Sequence, residues 1–209
     1  MIKNIIFDLD NTLLFISNAW EVAYQSFIDR YKLPITPKDL YISIGEFEKD
    51  SNGTVTVYDM AVYVSKYLNI TVTEEMANYL LDLYNDIPLT NTDTVYDVLD
   101  YLSKKYKLIA YSNWYTDSQI KRLKKYNLDK FFSEIYGWDI LPIKPSVDGI
   151  KSIVGSNKSD EYIMIGDNVD IDLKIPNSLN MNTIFYNRKN IEQNTYKEIK
   201  SIEELKNIL

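Results

Sequence analysis

The stretch IKNIIFDLDNT, residues 2–12, opens with an apolar run that stops at a carboxylate, Asp8. A short apolar run closed by polar residues predicts a buried β-strand, here over residues 2–7. Asp10 follows two residues after Asp8, and side chains with this spacing on an extended segment point to the same side. The stretch therefore predicts a strand that ends at a pair of carboxylates.

Four later runs repeat this form, because each is a short apolar stretch next to small or acidic residues. These predicted strands cover residues 108–111, 135–138, 162–165 and 183–186. Apolar residues at helical spacing lie between the strands and predict helices. These helices cover residues 95–102, 116–123, 147–154 and 173–179. In the second of them, Thr116 and Gln119 have the spacing of a capping box, with Ile120 and Leu123 facing inward.

The alternation of strands and helices predicts an α/β fold. We expect a Rossmann-like, three-layer α/β/α core in which helices cover both faces of a parallel sheet. Folds of this kind bind ligands beyond the carboxyl ends of their strands. Polar residues follow several of the predicted strands, so the sequence predicts a binding site at that edge of the sheet.

Residues 15–88 differ from the rest of the chain, because they show helical periodicity and no clear strand. Apolar residues of this block recur at helical spacing at Trp20, Ala23, Tyr24, Phe27, Tyr31, Met60, Val64, Leu68, Met76, Leu80, Leu83 and Tyr84. The block separates the first strand from the others. We therefore expect an inserted α-helical subdomain over residues 15–88 and a core formed by residues 1–14 and 89–209.

The composition excludes several kinds of catalyst. The 209 residues include no His and no Cys, so the chain has no imidazole base, no thiolate nucleophile and no thiolate zinc site. Any chemistry must use carboxylates, hydroxyls, amides, Lys, Arg and oxygen-ligated metals. Asp and Glu outnumber Lys and Arg by 30 to 23, and the net charge of −7 argues against nucleic acid and against anionic lipid as partners.

The sequence contains no recognisable targeting segment. The first apolar run is interrupted by Asp8 too early for a signal peptide. No uninterrupted apolar run approaches the roughly 18 residues that a membrane span requires. We therefore expect a cytoplasmic protein with no membrane partner.

Three further groups of polar residues could carry chemistry, and each also has a structural interpretation. Ser112 and Asn113 could hydrogen-bond a ligand oxygen or form a turn that enters a helix. Lys144 could neutralise phosphate charge or simply be solvated. Asp167, Asp170 and Asp172 could form a hard-oxygen site for Mg²⁺, or could favour a helix N-terminus through its dipole.

The order of these motifs along the chain, Asp-x-Asp, Ser, Lys and Gly-Asp-x-x-x-x-Asp, resembles the haloacid dehalogenase superfamily of phosphohydrolases with an aspartate nucleophile. The matching residues are Asp8, Asp10, Thr12, Ser112, Lys144, Asp167 and Asp172. The resemblance covers roughly residues 1–14 and 89–187. The helical block matches in position, since one large branch of this superfamily inserts a cap between its first and second motifs.

The resemblance implies a mechanism. Asp8 would attack phosphorus to form an aspartyl-phosphate, and Asp10 would protonate the leaving group and then activate water. Mg²⁺ would bind to the carboxylates of Asp8 and Asp167 and to the backbone carbonyl of Asp10. Phosphate oxygens would be held by Ser112, Asn113 and Lys144. The metal site would be supported from outside its ligand set by Thr12 and Asp172.

The resemblance also ranks the reactions. A carboxylate at Asp10 goes with phosphoryl transfer in this superfamily, whereas the metal-independent dehalogenases generally lack it. We therefore predict a Mg²⁺-dependent phosphohydrolase of a small phosphomonoester, with a phosphomutase, a dehalogenase or a non-catalytic binding protein as alternatives. A dinucleotide-binding oxidoreductase is excluded, because no Gly-x-Gly-x-x-Gly turn follows the first strand.

Substrate choice would depend on the cap, which closes over the site. Candidate contacts, each of which could instead be ordinary packing, are Phe15, Trp20, Tyr24, Glu46, Phe47, Trp114 and Tyr115. The expected partner is a small phosphorylated metabolite, such as a sugar phosphate, a phosphoglycolate-like acid or a nucleotide. We expect the protein to be a monomer or a homodimer.

Overall fold

The protein is described by a computed structural model that covers residues 1–16 and 20–209. The helical insert predicted over residues 15–88 includes residues 17–19, which lie outside the described residues.

The strands form one parallel sheet and one short antiparallel pair. They are β1 Asn4–Phe7, β2 Phe15–Ile16, β3 Leu89–Thr90, β4 Lys107–Tyr111, β5 Phe132–Tyr136, β6 Tyr162–Gly166, β7 Asn182–Tyr186 and β8 Lys197–Ile199. The large sheet has the order β5-β4-β1-β6-β7-β8, and all its pairings are parallel. The predicted parallel α/β architecture is confirmed.

Helices connect the strands and build the insert. They are α1 Trp20–Tyr31, α2 Pro37–Asp50, α3 Val57–Leu68, α4 Glu74–Asp86, α5 Thr92–Ser103, α6 Thr116–Lys125, α7 Val147–Val154, α8 Lys174–Ser178 and α9 Leu205–Ile208. A π-helical turn, Val169–Leu173, leads directly into α8.

The sheet is buried on both faces, as a parallel sheet requires. Side chains alternate along β1, so Ile5 and Phe7 enter an apolar cluster on one face while Ile6 enters a cluster on the other. All three side chains are completely buried. The fully covered sheet fixes the position of β1, and with it the carboxylates that follow this strand.

Helices α1 to α4, here called the helical segment, pack around an apolar cluster that also includes Tyr115, Trp138 and Ile143 of the core. Thr36 and Thr56 cap α2 and α3 with complete capping boxes. The loop between these two helices contacts the core, because Val55 N–H donates to the carbonyl of Trp138 (2.9 Å) and Ile143 N–H donates to the carbonyl of Gly53 (2.8 Å). The helical segment therefore lies against the loop that leads to Lys144.

The chain enters and leaves the helical segment side by side. Phe15 pairs with Thr90 and Ile16 pairs with Leu89, so that β2 and β3 form a two-residue antiparallel ladder. These strands are too short to show a periodic pattern in the sequence, which is why they were not predicted.

The structure corrects two local predictions and adds an edge strand. Strand β5 begins and ends earlier than predicted, because Trp138 turns away from the sheet and packs on Phe47 of the helical segment. Thr116 and Gln119 do not form a capping box; the residue before α6 is Tyr115, and its side chain makes no capping hydrogen bond. Strand β8 was missed because Ile199 is its one buried residue.

Within residues 1–16 and 20–209, none of the helices combines the length and the apolar character needed to cross a lipid bilayer.

Candidate active site

The residues matched to the motifs come together at the carboxyl edge of the sheet. Asp8 follows β1, Ser112 follows β4 and Asp167 follows β6, and these three strands are neighbours with β1 in the middle. Lys144, from the loop before α7, and Asp172, from the π-helical turn, join the same group through direct contacts. The expected juxtaposition of the four motifs is present.

Asp8 lies at the centre of a buried hydrogen-bond network. Lys144 Nζ donates to Asp8 Oδ1 and to Asp172 Oδ1, both at 2.7 Å. The hydroxyl of Thr12 donates to the other oxygen of Asp8 at 2.8 Å. The backbone N–H of Asn168 donates to the second oxygen of Asp172 at 3.1 Å. Both oxygens of Asp8 are therefore fixed in direction before any ligand arrives.

The charges of this network do not balance. Burial and the nearby carboxylates of Asp172 and Asp167 raise the pKa of Asp8 to about 8, although Lys144 opposes the rise. Burial disfavours the charge of Lys144, but Asp172 and Asp8 raise its pKa well above the usual range. The Lys144 ammonium pairs with Asp8 and Asp172, and Asp167 adds a third carboxylate beside them, so the cluster favours binding of either a proton or a further cation.

The carboxylates of this cluster fit a hard divalent cation. Oxygen atoms of Asp8, Asp167 and Asp172 all lie within 4.8 Å of one another. Burial and the charge of Asp172 raise the pKa of Asp167 to about 6. Carboxylate oxygens held at this spacing are the ligand type that Mg²⁺ prefers. Gly166 permits the arrangement, because a Cβ there would lie 2.4 Å from an Asp172 oxygen.

Asp10 is held separately from the metal-type cluster. Arg122 Nη1 donates to Asp10 Oδ1 at 2.7 Å, and Gln119 Nε2 donates to the other oxygen. The same Gln119 nitrogen donates to the Ser112 hydroxyl at 2.7 Å, and the Gln119 oxygen accepts from Arg122 at 2.9 Å. Tyr84 of α4 lies with its hydroxyl 3.5 Å from Asp10. The Asp10 carboxylate thus has a defined position between core and helical segment.

Asn113 uses its side chain to fix the Lys144 loop. Its Oδ1 accepts the backbone N–H of Lys144 at 2.7 Å, and its Nδ2 donates to the Lys144 carbonyl at 2.9 Å. The second hydrogen of Nδ2 goes to Glu48 Oε1 of α2, also at 2.9 Å. The amide side chain is therefore fully engaged with the protein.

Backbone donors are available beside Asp8. Within residues 1–16 and 20–209, the N–H groups of Leu9, Asp10 and Asn113 have no hydrogen-bond acceptor. Unpaired backbone donors at the ends of adjacent strands can bind anionic oxygens. These three groups and Lys144 could therefore surround an oxyanion bound at Asp8.

Sequence reasoning missed Gln119 and Arg122, although a signal was present. Both are almost completely buried, and they share the inward face of α6 with Leu123. Polar residues at positions where helical periodicity calls for apolar ones indicate a functional network. Among the described residues, Nε and Nη2 of Arg122 have no partner, and the Tyr84 ring covers the guanidinium at 4.9 Å.

The aromatic candidates for substrate contact occupy different surroundings. Trp114 packs against Tyr84, the neighbour of Asp10, with ring centroids 5.0 Å apart and ring planes tilted by 48°. Tyr115 is buried and donates its hydroxyl to the carbonyl of Thr56 at 2.9 Å. Other candidates pack within apolar clusters or against neighbouring rings: Phe15, Trp20, Tyr24 and Phe47.

Among the described residues, the acidic candidate of the helical segment, Glu46, has no contact with the site, whereas a second acidic residue of the same helix does. Glu46 pairs with Lys49 on the surface of α2, whereas Glu48 is the carboxylate that reaches Asn113. Glu48 lies four residues after the buried Ile44 and therefore on the same face of α2. A charged residue at a position where helical periodicity predicts an apolar one was the sequence signal for this contact.

Comparison with known proteins agrees with this geometry. A family model described as haloacid dehalogenase-like hydrolase matches residues 5–186. A pyrophosphatase named PpaX from Listeria monocytogenes is 30% identical over 181 residues, which are 80% of this chain and 75% of that protein.

Solved structures share the fold at lower identity. The HAD-hydrolase YfnB from Bacillus subtilis, bound to magnesium, superposes with a TM-score of 0.76 at 19% identity, covering 99% of this chain and 98% of that chain. A HAD phosphatase from Thermococcus onnurineus gives a TM-score of 0.68 at 22% identity, covering 99% and 97%.

Proposed function

Because the chain belongs to the haloacid dehalogenase-like hydrolase family, we propose that it is a Mg²⁺-dependent phosphohydrolase that cleaves a small phosphomonoester through an aspartyl-phosphate. The observation that carries the proposal is the pairing of two differently held carboxylates. Asp8 is buried against Lys144, and Asp10 is anchored by Arg122 and Gln119. One can serve as a nucleophile while the other handles a proton.

In the proposed first step, a carboxylate oxygen of Asp8 attacks phosphorus and the bond to the leaving-group oxygen breaks. Asp10 gives its proton to that oxygen, so the alcohol leaves neutral. In the second step Asp10 takes a proton from water, whose oxygen attacks phosphorus and releases inorganic phosphate and the Asp8 carboxylate. The negatively charged oxygens of the phosphoryl group are held during its transfer by Lys144 and by the backbone N–H groups beside Asp8.

Mg²⁺ would be held by the carboxylates of Asp8 and Asp167 and by the backbone carbonyl of Asp10. When bound, it would supply charge neutralisation between the carboxylate and the incoming phosphate dianion. Asp172 supports the site by holding Lys144 and the Asn168 N–H. We further propose that the helical insert acts as a cap that excludes water from the reacting groups.

Hydrolysis of an aryl phosphate tests the function directly. We expect Mg²⁺-dependent release of phosphate, lost with EDTA and restored by added Mg²⁺. A 2-haloacid offered without metal is expected to give no halide. Metal-independent hydrolysis at the same rate, or halide release, would contradict the proposal.

Metal binding is expected to depend on pH. Asp8 and Asp167 have pKa values of about 8 and about 6 without metal, so protons compete with the cation. Mg²⁺ affinity should rise as pH increases toward 8, with proton release at neutral pH. Calorimetry in two buffers of different ionisation enthalpy measures that release. Binding without proton release and independent of pH would contradict this expectation.

The same shifts give a stability prediction with a definite sign. Both pKa values are raised above their unfolded values near 3.8, so ionisation disfavours the folded metal-free protein. Stability without metal should fall as pH rises from about 4 to about 8, and Mg²⁺ should reverse the loss. Thermal unfolding with EDTA and with Mg²⁺ across this range checks it.

Replacing Asp10 separates its two proposed contributions. Asp10→Asn removes the proton donor but keeps the backbone carbonyl, so we expect turnover to fall by about 10²- to 10⁴-fold while Mg²⁺ affinity stays similar. Calorimetry and steady-state kinetics on the same preparation measure both. Loss of Mg²⁺ affinity together with activity would overturn the assignment.

A further inference from the structure

Glu48 extends from the helical segment to the active site and keeps one oxygen open. Its Oε1 accepts a hydrogen bond from Asn113, whose other bonds hold the backbone of Lys144. Among the described residues, Oε2 of Glu48 has no hydrogen-bond partner. Because Lys144 holds Asp8 directly, Glu48 lies two side chains away from the proposed nucleophile, on the cap side.

Glu48 forms no ion pair with a Lys or Arg of the described residues, because the nearby cations are paired with other carboxylates. Burial raises the pKa of Glu48, against a lowering effect of Asn113 and Lys144, and Asp10 and Asp172 add negative charge. The Lys144 ammonium already serves Asp8 and Asp172, and the Arg122 guanidinium serves Asp10. Among the described residues, no Lys or Arg forms an ion pair with Glu48, and Lys144 acts on it only from a distance, so the cap side of the site presents a carboxylate without a paired cation.

The helical segment offers no cation in its place. Every Lys and Arg in its described residues 20–86 is exposed, and no hydrogen bond or ion pair joins any of them to a site residue. These residues are Arg30, Lys32, Lys38, Lys49 and Lys66. Arg30 stacks on Tyr79, and Lys49 pairs with Glu46.

We propose that Glu48 selects phosphomonoesters whose leaving group is uncharged or cationic, a hydroxylated or aminated alcohol, and rejects anionic leaving groups. This inference rests on the proposed function. The Glu48 oxygen that has no partner among the described residues accepts a hydrogen bond from an O–H or N–H of the leaving group. A leaving group with a carboxylate or a second phosphate is repelled, because it has the same charge as Glu48. Discrimination of this kind comes from the repulsive contact as much as from the attractive one.

Three substrates of similar size isolate the charge of the leaving group. Phosphoglycolate, 2-hydroxyethyl phosphate and phosphoethanolamine carry a carboxylate, a hydroxyl and an ammonium at the same place. We expect kcat/KM to be at least about tenfold lower for phosphoglycolate than for the other two, since repulsion between like charges at contact in a protein exceeds that factor even when solvent screens part of it. Pyrophosphate, whose leaving group is phosphate, should fall with phosphoglycolate.

Two variants assign the discrimination to Glu48. Glu48→Gln keeps the acceptor toward Asn113 and removes the charge, so the phosphoglycolate disadvantage should shrink by about tenfold and any preference for phosphoethanolamine should disappear. Glu46→Gln is the matched control, because Glu46 lies on the same helix and pairs with Lys49 at the surface. Its substrate ratios should equal those of the unmodified protein.

The outcomes separate this inference from the proposed function. Ratios that are the same in Glu48→Gln and in the unmodified protein, with an aryl phosphate still hydrolysed, overturn the role of Glu48 alone. A preference for phosphoglycolate or pyrophosphate in the unmodified protein does the same. Absence of Mg²⁺-dependent hydrolysis of every phosphate ester, the aryl phosphate included, overturns both.

Discussion

Replacing Asp8 by Asn is expected to lower kcat/KM for an aryl phosphate by at least about 10⁴-fold, because the amide cannot attack phosphorus. Asn has the same shape, so the bonds that hold Asp10 and Asp172 remain, and saturating Mg²⁺ compensates for the lost charge of a proposed metal ligand. Lys144 still finds an oxygen acceptor at position 8, and Thr12 still lies beside the side chain. Steady-state hydrolysis with saturating Mg²⁺ measures the loss.

Unfolding measurements distinguish a lost nucleophile from a lost fold. The raised pKa of Asp8 means that its charge disfavours the folded metal-free state, so Asp8→Asn should leave thermal stability unchanged or increase it above neutral pH. The exposed Asp160→Asn serves as the control and should keep full activity. Residual activity within tenfold of the unmodified protein would exclude Asp8 as the nucleophile.

The second large effect is expected at Lys144, which is 5% exposed and binds two carboxylates. Lys144→Met leaves Asp8 and Asp172 buried without a cation, so the variant should lose about 3–5 kcal/mol of stability at neutral pH and its activity as well. Without Lys144, which opposes the rise, the pKa of Asp8 increases further. Because protonation of Asp8 relieves the repulsion, the stability defect should grow as pH rises and shrink as pH falls.

Denaturant unfolding at two pH values measures this dependence. Lys151→Met is the control, since Lys151 is exposed on the adjacent helix α7 and should change stability by no more than about 0.5 kcal/mol. A defect of the same size at both pH values would show that Lys144 matters for packing and not for charge.

The sheet could be predicted because most of its strands appear in the sequence as short apolar runs. The runs at β1, β4, β6 and β7 are buried on both faces, and each lies within two residues of its predicted bounds. Strand β5 was displaced because Trp138, apolar like its neighbours, packs against the helical segment. An apolar run indicates that its residues are buried. It does not indicate which element packs against each residue, because that depends on the tertiary structure.

The candidate site could be predicted only where its residues follow strands. Asp8, Ser112 and Asp167 share this position, and parallel topology brings them to one edge. Glu48 and Arg122 come from helices. The placement of these helices over the site depends on how the helical segment and the core pack together. Their sequence signal is a charged residue on a buried helical stripe, which identifies a polar contact but not its partner.

The central claim is that Asp8 carries the phosphoryl group, and trapping that intermediate tests it most directly. The Asp10→Asn variant should accumulate it with a ³²P-labelled aryl phosphate, because departure of an aryl group needs no proton while hydrolysis of the intermediate does. Acid quenching and peptide mapping should place the label, in about stoichiometric amount, on the peptide that contains Asp8. A stoichiometric burst of the aryl alcohol without label on that peptide, or with label on another, would contradict the account.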